Sequence, residues 1–161
     1  MTGFSIAGNA WGIHTVLHKG LGAAELTGWQ TALREAAVRC GASGRRWGVI
    51  ADIRALTPAE GAAVAAALTE LAERPDLERG AVIAAEDGQA ERFGQASGGR
   101  DPGRKLRVLA VEGRDRVQIA AAYGWTLNGT EPCHAHGVPA GTVVAFPARS
   151  MTGMAGLRKA S

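Results

Sequence analysis

Three short apolar runs limit what this chain can fold into. Residues 48–53 (GVIADI), 80–85 (GAVIAA) and 106–111 (LRVLAV) are almost continuously apolar. A strand with one solvated face alternates apolar and polar residues. A strand buried on both faces has no reason to, and such runs belong to parallel sheets held between helices. Each run is followed by a segment with helical period, so the runs predict an α/β fold.

The segments between them support this. Over 23–41 the apolar residues Leu26, Trp29, Leu33, Ala36, Ala37 and Cys40 recur at spacings of three and four, and Gly41 is expected at the C′ position. Thr57-Pro58-Ala59-Glu60 reads as an N-cap, a proline in the first helical position and a glutamate three residues after the cap. Val64, Leu68, Leu71 and Ala72 continue that stripe, and Arg74-Pro75 ends it. Asp87 can start a weaker helix that contains Gly88 and Gly94. A last helix runs from about 114, with Val117, Ala121 and Trp125 as its stripe and Asn128-Gly129 as the turn that closes it. At the amino terminus, FSIAGNAWGIHTVL is a hairpin with Gly8-Asn9 as its turn, Phe4 and Ile6 on one face, and Trp11, Ile13, Thr15 and Leu17 on one face of the second strand.

The expected order is β-β-α-β-α-β-α-β-α: an N-terminal β-hairpin, then alternating elements in a mainly parallel sheet flanked by helices. Residues 1–129 form the expected domain. Residues 130–161 form a C-terminal extension in which GTVVAF, 141–146, reads as an edge strand and 148–161 as a loose tail.

Composition excludes several function classes. The net charge is +3, but the positive residues are scattered among 15 acids in runs no longer than two, so nucleic-acid binding is not expected. No apolar stretch approaches the ~18 residues of a membrane span, and no leader pattern is present. Two cysteines do not make a disulfide framework. The chain is therefore expected to be cytoplasmic. The glycines of GQASGGRDPGR follow a helix and precede a strand, which is the wrong end of a sheet for a phosphate loop. Cys133, His134 and His136 offer two or three donors where structural zinc takes four, and His14 or His18 would join them only by tertiary coincidence. No metal or other cofactor is expected.

The hairpin, GVIADIRAL with its helix, RGAVIAAEDG with its helix, and LRVLAVEGRDRVQIAAAYGWTL together resemble the STAS domains, in particular the SpoIIAA-like branch, over about residues 3–129. The resemblance implies a non-enzymatic regulatory module that binds another protein or, in some relatives, a small or lipid-like ligand. In the anti-sigma-factor antagonists, a phosphorylated serine begins the helix after the corresponding strand. Here the turn is Thr57-Pro58-Ala59-Glu60-Gly61, without serine, so Thr57 is the phospho-switch candidate only by position.

The candidate contact residues are Asp52, Thr57 and Glu60 at the strand–helix junction, Glu86 after the next strand, and Trp11 on the hairpin. In open α/β sheets, binding loops gather at the carboxyl ends of the strands, and a helix start offers N–H groups and partial positive charge. The plainer readings are that Thr57 caps its helix, that Asp52 bonds nearby backbone N–H groups, and that Cys40, Trp29 and Trp125 belong to the core. The expected partner is a regulatory protein whose identity the sequence does not give; a homodimer stays open. The alternative is a small-ligand-binding protein or an enzyme with Asp52 and Glu86 as facing carboxylates.

Overall fold

The computed structural model describes residues 3–101 and 104–133. Five strands form one sheet in the order β1-β2-β3-β4-β5: β1 Phe4–Asn9, β2 Gly12–Leu17, β3 Trp47–Asp52, β4 Leu77–Ala84 and β5 Leu106–Ala110. The β1–β2 pair is antiparallel and the three pairs from β2 to β5 are parallel. Helices α1 (Ala23–Ala42), α2 (Pro58–Ala72) and α3 (Asp87–Ala96) connect the parallel strands. The fold is thus α/β, with a hairpin followed by alternating helices and parallel strands, as the apolar runs require. Helix α4 (Arg116–Tyr123) follows β5 and passes directly into a π-helical turn, Gly124–Asn128.

Strands laid down in sequential order with crossovers of one hand place all three connecting helices on the same face. The core divides accordingly. Val49, Ala51, Ile53, Val82, Ala84 and Val108 pack with α1, α2 and α3. Ile50, Ala81, Ile83, Leu109 and Val111 point the other way, under α4 and the π turn. On β2, Ile13, Thr15 and Leu17 face the three helices and are buried. The Thr15 hydroxyl donates to the Ser5 carbonyl at 2.9 Å and accepts from the Trp29 indole at 3.0 Å, so this buried polar group is satisfied.

Several local expectations are corrected. The hairpin turns at Ala10-Trp11, not at Gly8-Asn9, because Asn9 pairs with Gly12. The turn is fixed there by tertiary contacts: the Gly48 N–H donates to the Trp11 carbonyl at 2.9 Å, and the Trp11 ring meets Tyr123 edge-on at 6.1 Å. Helix α1 runs through Gly41 and ends at the Ser43 cap; the left-handed residue after it is Gly44. Gly41 instead leaves room for the Asp76 carboxylate, which a Cβ there would meet. Val117 does not continue the α4 stripe, being 78% exposed, whereas Ala121 and Trp125 do face the core, together with Ile119, Ala122 and Thr126. The π turn breaks the 3.6-residue period just before Trp125. Thr126 then sits where any side chain on residue 48 would clash with it, so Gly48 is the seat of the π turn.

One buried charge breaks the apolar run of β5. Arg107 is 2% exposed, stacks over Trp125 at 4.0 Å, and donates to Glu131 at 2.6 and 3.2 Å and to the carbonyls of Arg104 and Leu106. A buried guanidinium is tolerated only when paired and fully bonded. Glu131, which the sequence assigns to a C-terminal extension, is bonded into the sheet by it. The expected edge strand 141–146, the tail 148–161, His134 and His136 lie outside the described residues.

Candidate functional site

The carboxyl end of β3 carries the junction on which the sequence reading rests. Asp52 is the last residue of the strand, and its side chain is 13% exposed. Its carboxylate accepts from the Arg54 backbone N–H at 3.1 Å. It also holds the Arg54 guanidinium in a forked pair, Nε to Oδ1 at 3.0 Å and Nη2 to Oδ2 at 2.6 Å. The local N–H contact expected of a loop carboxylate is present, and the arginine two residues on is the group sequence reasoning missed. These bonds to Asp52 push the Arg54 guanidinium up from its already high value. Arg54 then reaches across the rim: its Nη1 donates to the Gly113 carbonyl at 2.9 Å, in the loop between β5 and α4. One side chain ties two loops at the same end of the sheet.

Three residues further on, Thr57 caps α2. Its hydroxyl accepts from the Glu60 N–H at 3.4 Å, and the Glu60 carboxylate accepts from the Thr57 N–H at 2.8 Å, a reciprocal capping box. Pro58 occupies the next position and has no N–H to offer. The first turn of α2 thus already holds a carboxylate, that of Glu60, at its positive pole. Gln89, in the first turn of α3, ties the loop from below. Its Nε2 donates to the carbonyls of Ile53 and Leu56 at 2.9 and 3.2 Å, and its Oε1 accepts from the Ala85 N–H at 2.6 Å. No spacing in the sequence signals this contact, because Gln89 and Ile53 come together only when β3 and β4 pair.

Glu86 is the N-cap residue of α3, but its side chain makes no cap hydrogen bond. It is exposed and pairs with Arg92 at 3.3 Å. Asp52 and Glu86 are therefore each matched to a separate arginine. A small pocket of about 20 Å³ between the starts of α2 and α3 is lined by Thr57, Gln89 and Phe93 among others, and by neither of these acids. Trp11 stands apart from this rim, at the hairpin turn on the amino side of the sheet. Cys133 is exposed, and no group of three metal-ligating side chains occurs among the described residues. No helix among the described residues is long and apolar enough to cross a membrane.

No protein-family model, curated protein or solved structure matches the chain. The hairpin-led sheet of five strands is consistent with a STAS-like topology.

Proposed function

We propose that the chain is a non-catalytic binding module of the STAS type, within the SpoIIAA-like branch, and that the carboxyl-end rim of its sheet docks a regulatory protein. The observation that carries this reading is the Arg54 bridge. It neutralises Asp52 and links the β3–α2 loop to the β5–α4 loop. With Gln89 and the capping box it holds the rim's backbone in one arrangement before any partner arrives, which lowers the ordering cost of docking. Exposed apolar groups stand on that frame: Pro58 at the start of α2 and Val117 in the first turn of α4. The competing reading needs Asp52 and Glu86 to share one cleft with a free proton to exchange. Their separate arginines favour docking over acid–base chemistry.

Thr57 acts in this reading as a cap rather than as a phosphorylation switch. The test is co-purification from the native host with wild type, Val117→Glu, Thr57→Ser and Thr57→Asp, alongside thermal melts. The expected result is a partner retained by wild type and both Thr57 variants and lost from Val117→Glu, with similar melts. All three residues at 57 can accept the same N–H bond. Loss in Thr57→Asp alone would restore the switch, since added negative charge at a helix start redirects contacts. Retention by Val117→Glu would move the docking face away from this rim.

A further inference from the structure

The amino end of β3 is built differently. A cleft of about 400 Å³ lies between the hairpin turn, the last turn of α1 and the loop that enters β3. The buried core residues Ile13, Ala36 and Trp47 lie beneath it, the exposed hairpin residues Gly8, Asn9 and Ala10 flank it, and Arg39, Arg45 and Arg46 line it with three guanidinium groups. No acidic residue lines it.

Internal pairing of arginines is common in this molecule but not general: among the described residues Arg104, Arg114 and Arg116 also stand in no ion pair, but only Arg39, Arg45 and Arg46 gather around one cleft. Arg34, Arg54, Arg74, Arg79, Arg92, Arg100 and Arg107 are each ion-paired with a carboxylate. Among the described residues Arg39, Arg45 and Arg46 form no ion pair, even though Glu35 lies one turn before Arg39 on α1. The rest of the chain cannot supply the missing partner from a side chain, because all 15 acidic residues lie within the described segments. The carboxyl pole of α1 does not explain three cations either. Two of its last carbonyls are already taken: Cys40 accepts from the Ser43 hydroxyl at 2.8 Å and Gly41 from the Gly44 N–H at 3.1 Å. Three like charges around one cleft repel one another until an anion joins them. The Arg46 charge is also felt at Lys105, whose ammonium is depressed first by burial and then by Arg46.

We infer that this cleft binds a small phosphorylated molecule, with its phosphate oxygens held by Arg39, Arg45 and Arg46 and the rest of it against the exposed hairpin end at Gly8, Asn9 and Ala10. The planar guanidinium fork matches phosphate oxygens in pairs, and the cleft is within the ordinary size of small-ligand sites. Side chains provide the recognition here, unlike glycine-rich loops, which use backbone N–H groups at the other end of a sheet. Cys40 also lines the cleft. Burial pushes its thiol up from the ordinary value, so a thiol reagent modifies it slowly, and any further protection by a ligand is read above neutral pH.

The site is independent of the rim proposed for protein docking, and the test does not involve that rim's partner. The purified full chain is titrated calorimetrically with inorganic pyrophosphate, and with citrate as a non-phosphate polyanion. The expected result is saturable binding at one site, weakened about tenfold or more by Arg45→Ala with Arg46→Ala. Arg114→Ala with Arg116→Ala removes the same charge at the opposite end of the sheet and is expected to change binding by less than about twofold. In a Cys133→Ser background, pyrophosphate should slow modification of Cys40 by a thiol reagent. Equal weakening by the two double variants, citrate binding as tight as pyrophosphate, unprotected Cys40, or no saturable binding up to ~10 mM would each overturn the assignment.

Discussion

At the carboxyl end of β3, Asp52 holds Arg54 in a forked ion pair, and Arg54 carries on to the Gly113 carbonyl. At the amino end of the same strand, Arg45 and Arg46 join Arg39 around a cleft with no acidic lining residue. The two ends belong to one six-residue strand, β3, and share one sheet. The first has matched the acid and arginine of its β3–α2 loop, although Arg114 and Arg116 beside it are in no ion pair, so what that loop presents is shape: a fixed frame with Pro58 and Val117 outward. The second leaves its charges unmatched, so what it presents is electrostatic demand. A paired end is suited to a surface that must keep one conformation, and an unpaired end to a small ion that completes it. This difference separates the two proposals, because protein docking and anion binding would draw on different ends.

The comparison depends on β3 being a buried strand that links the two ends. Ile50, at its middle, is 0% exposed beneath α4 and the π turn. Ile50→Asp is expected to cost about 4 kcal/mol or more, since it leaves a carboxylate unpaired in the core. Cooperative folding with a near-unchanged thermal midpoint would break the comparison at its root. A smaller effect is expected at the paired end. Arg54→Ala leaves Asp52 part-buried without its guanidinium and releases the Gly113 loop, a loss of about 1–3 kcal/mol in a denaturant melt. A change below about 0.5 kcal/mol would mean that the pair is no more than a surface contact. The smallest effect belongs to the other end. Arg45→Ala with Arg46→Ala breaks no ion pair and relieves repulsion, so without added anion its stability should stay within about 0.5 kcal/mol of wild type or rise slightly. A loss as large as that of Arg54→Ala would show that these arginines have partners in the folded chain, and the contrast between the ends would disappear.

Much of the frame is legible in the sequence because the forces that set it are local. The continuous apolar runs mark β3, β4 and β5, since burial on both faces leaves no position for a polar residue to recur. The exception, Arg107, is readable as a charge inside such a run, although the run alone does not reveal its partner Glu131. The capping box of Thr57 and Glu60 is legible for the same reason: both bonds close within three residues. Asp52 was identifiable as the junction acid, and Arg54 was within reach at a separation of two. Spacing could not show that the same guanidinium also crosses to Gly113.

What the tertiary structure alone decided are matters of position across the sheet. Val117 falls off the α4 stripe, because the π turn shifts the phase between it and Trp125, and that turn has a seat only where Gly48 offers bare backbone. The hairpin turned two residues later than its glycine suggested because Gly48 and Tyr123 hold Trp11 in place. Asp52 and Glu86, the two acids of the alternative reading, each meet an arginine on their own segment. The gathering of Arg39, Arg45 and Arg46 around one hollow is of the same kind. Which segments are buried and where helix α2 begins follow from neighbouring residues alone, because apolar burial and capping act over a few positions. Only the folded sheet decided which charges meet and which stand alone, because ion pairing depends on distance through space, and that distance is set by strand order and helix packing rather than by separation along the chain.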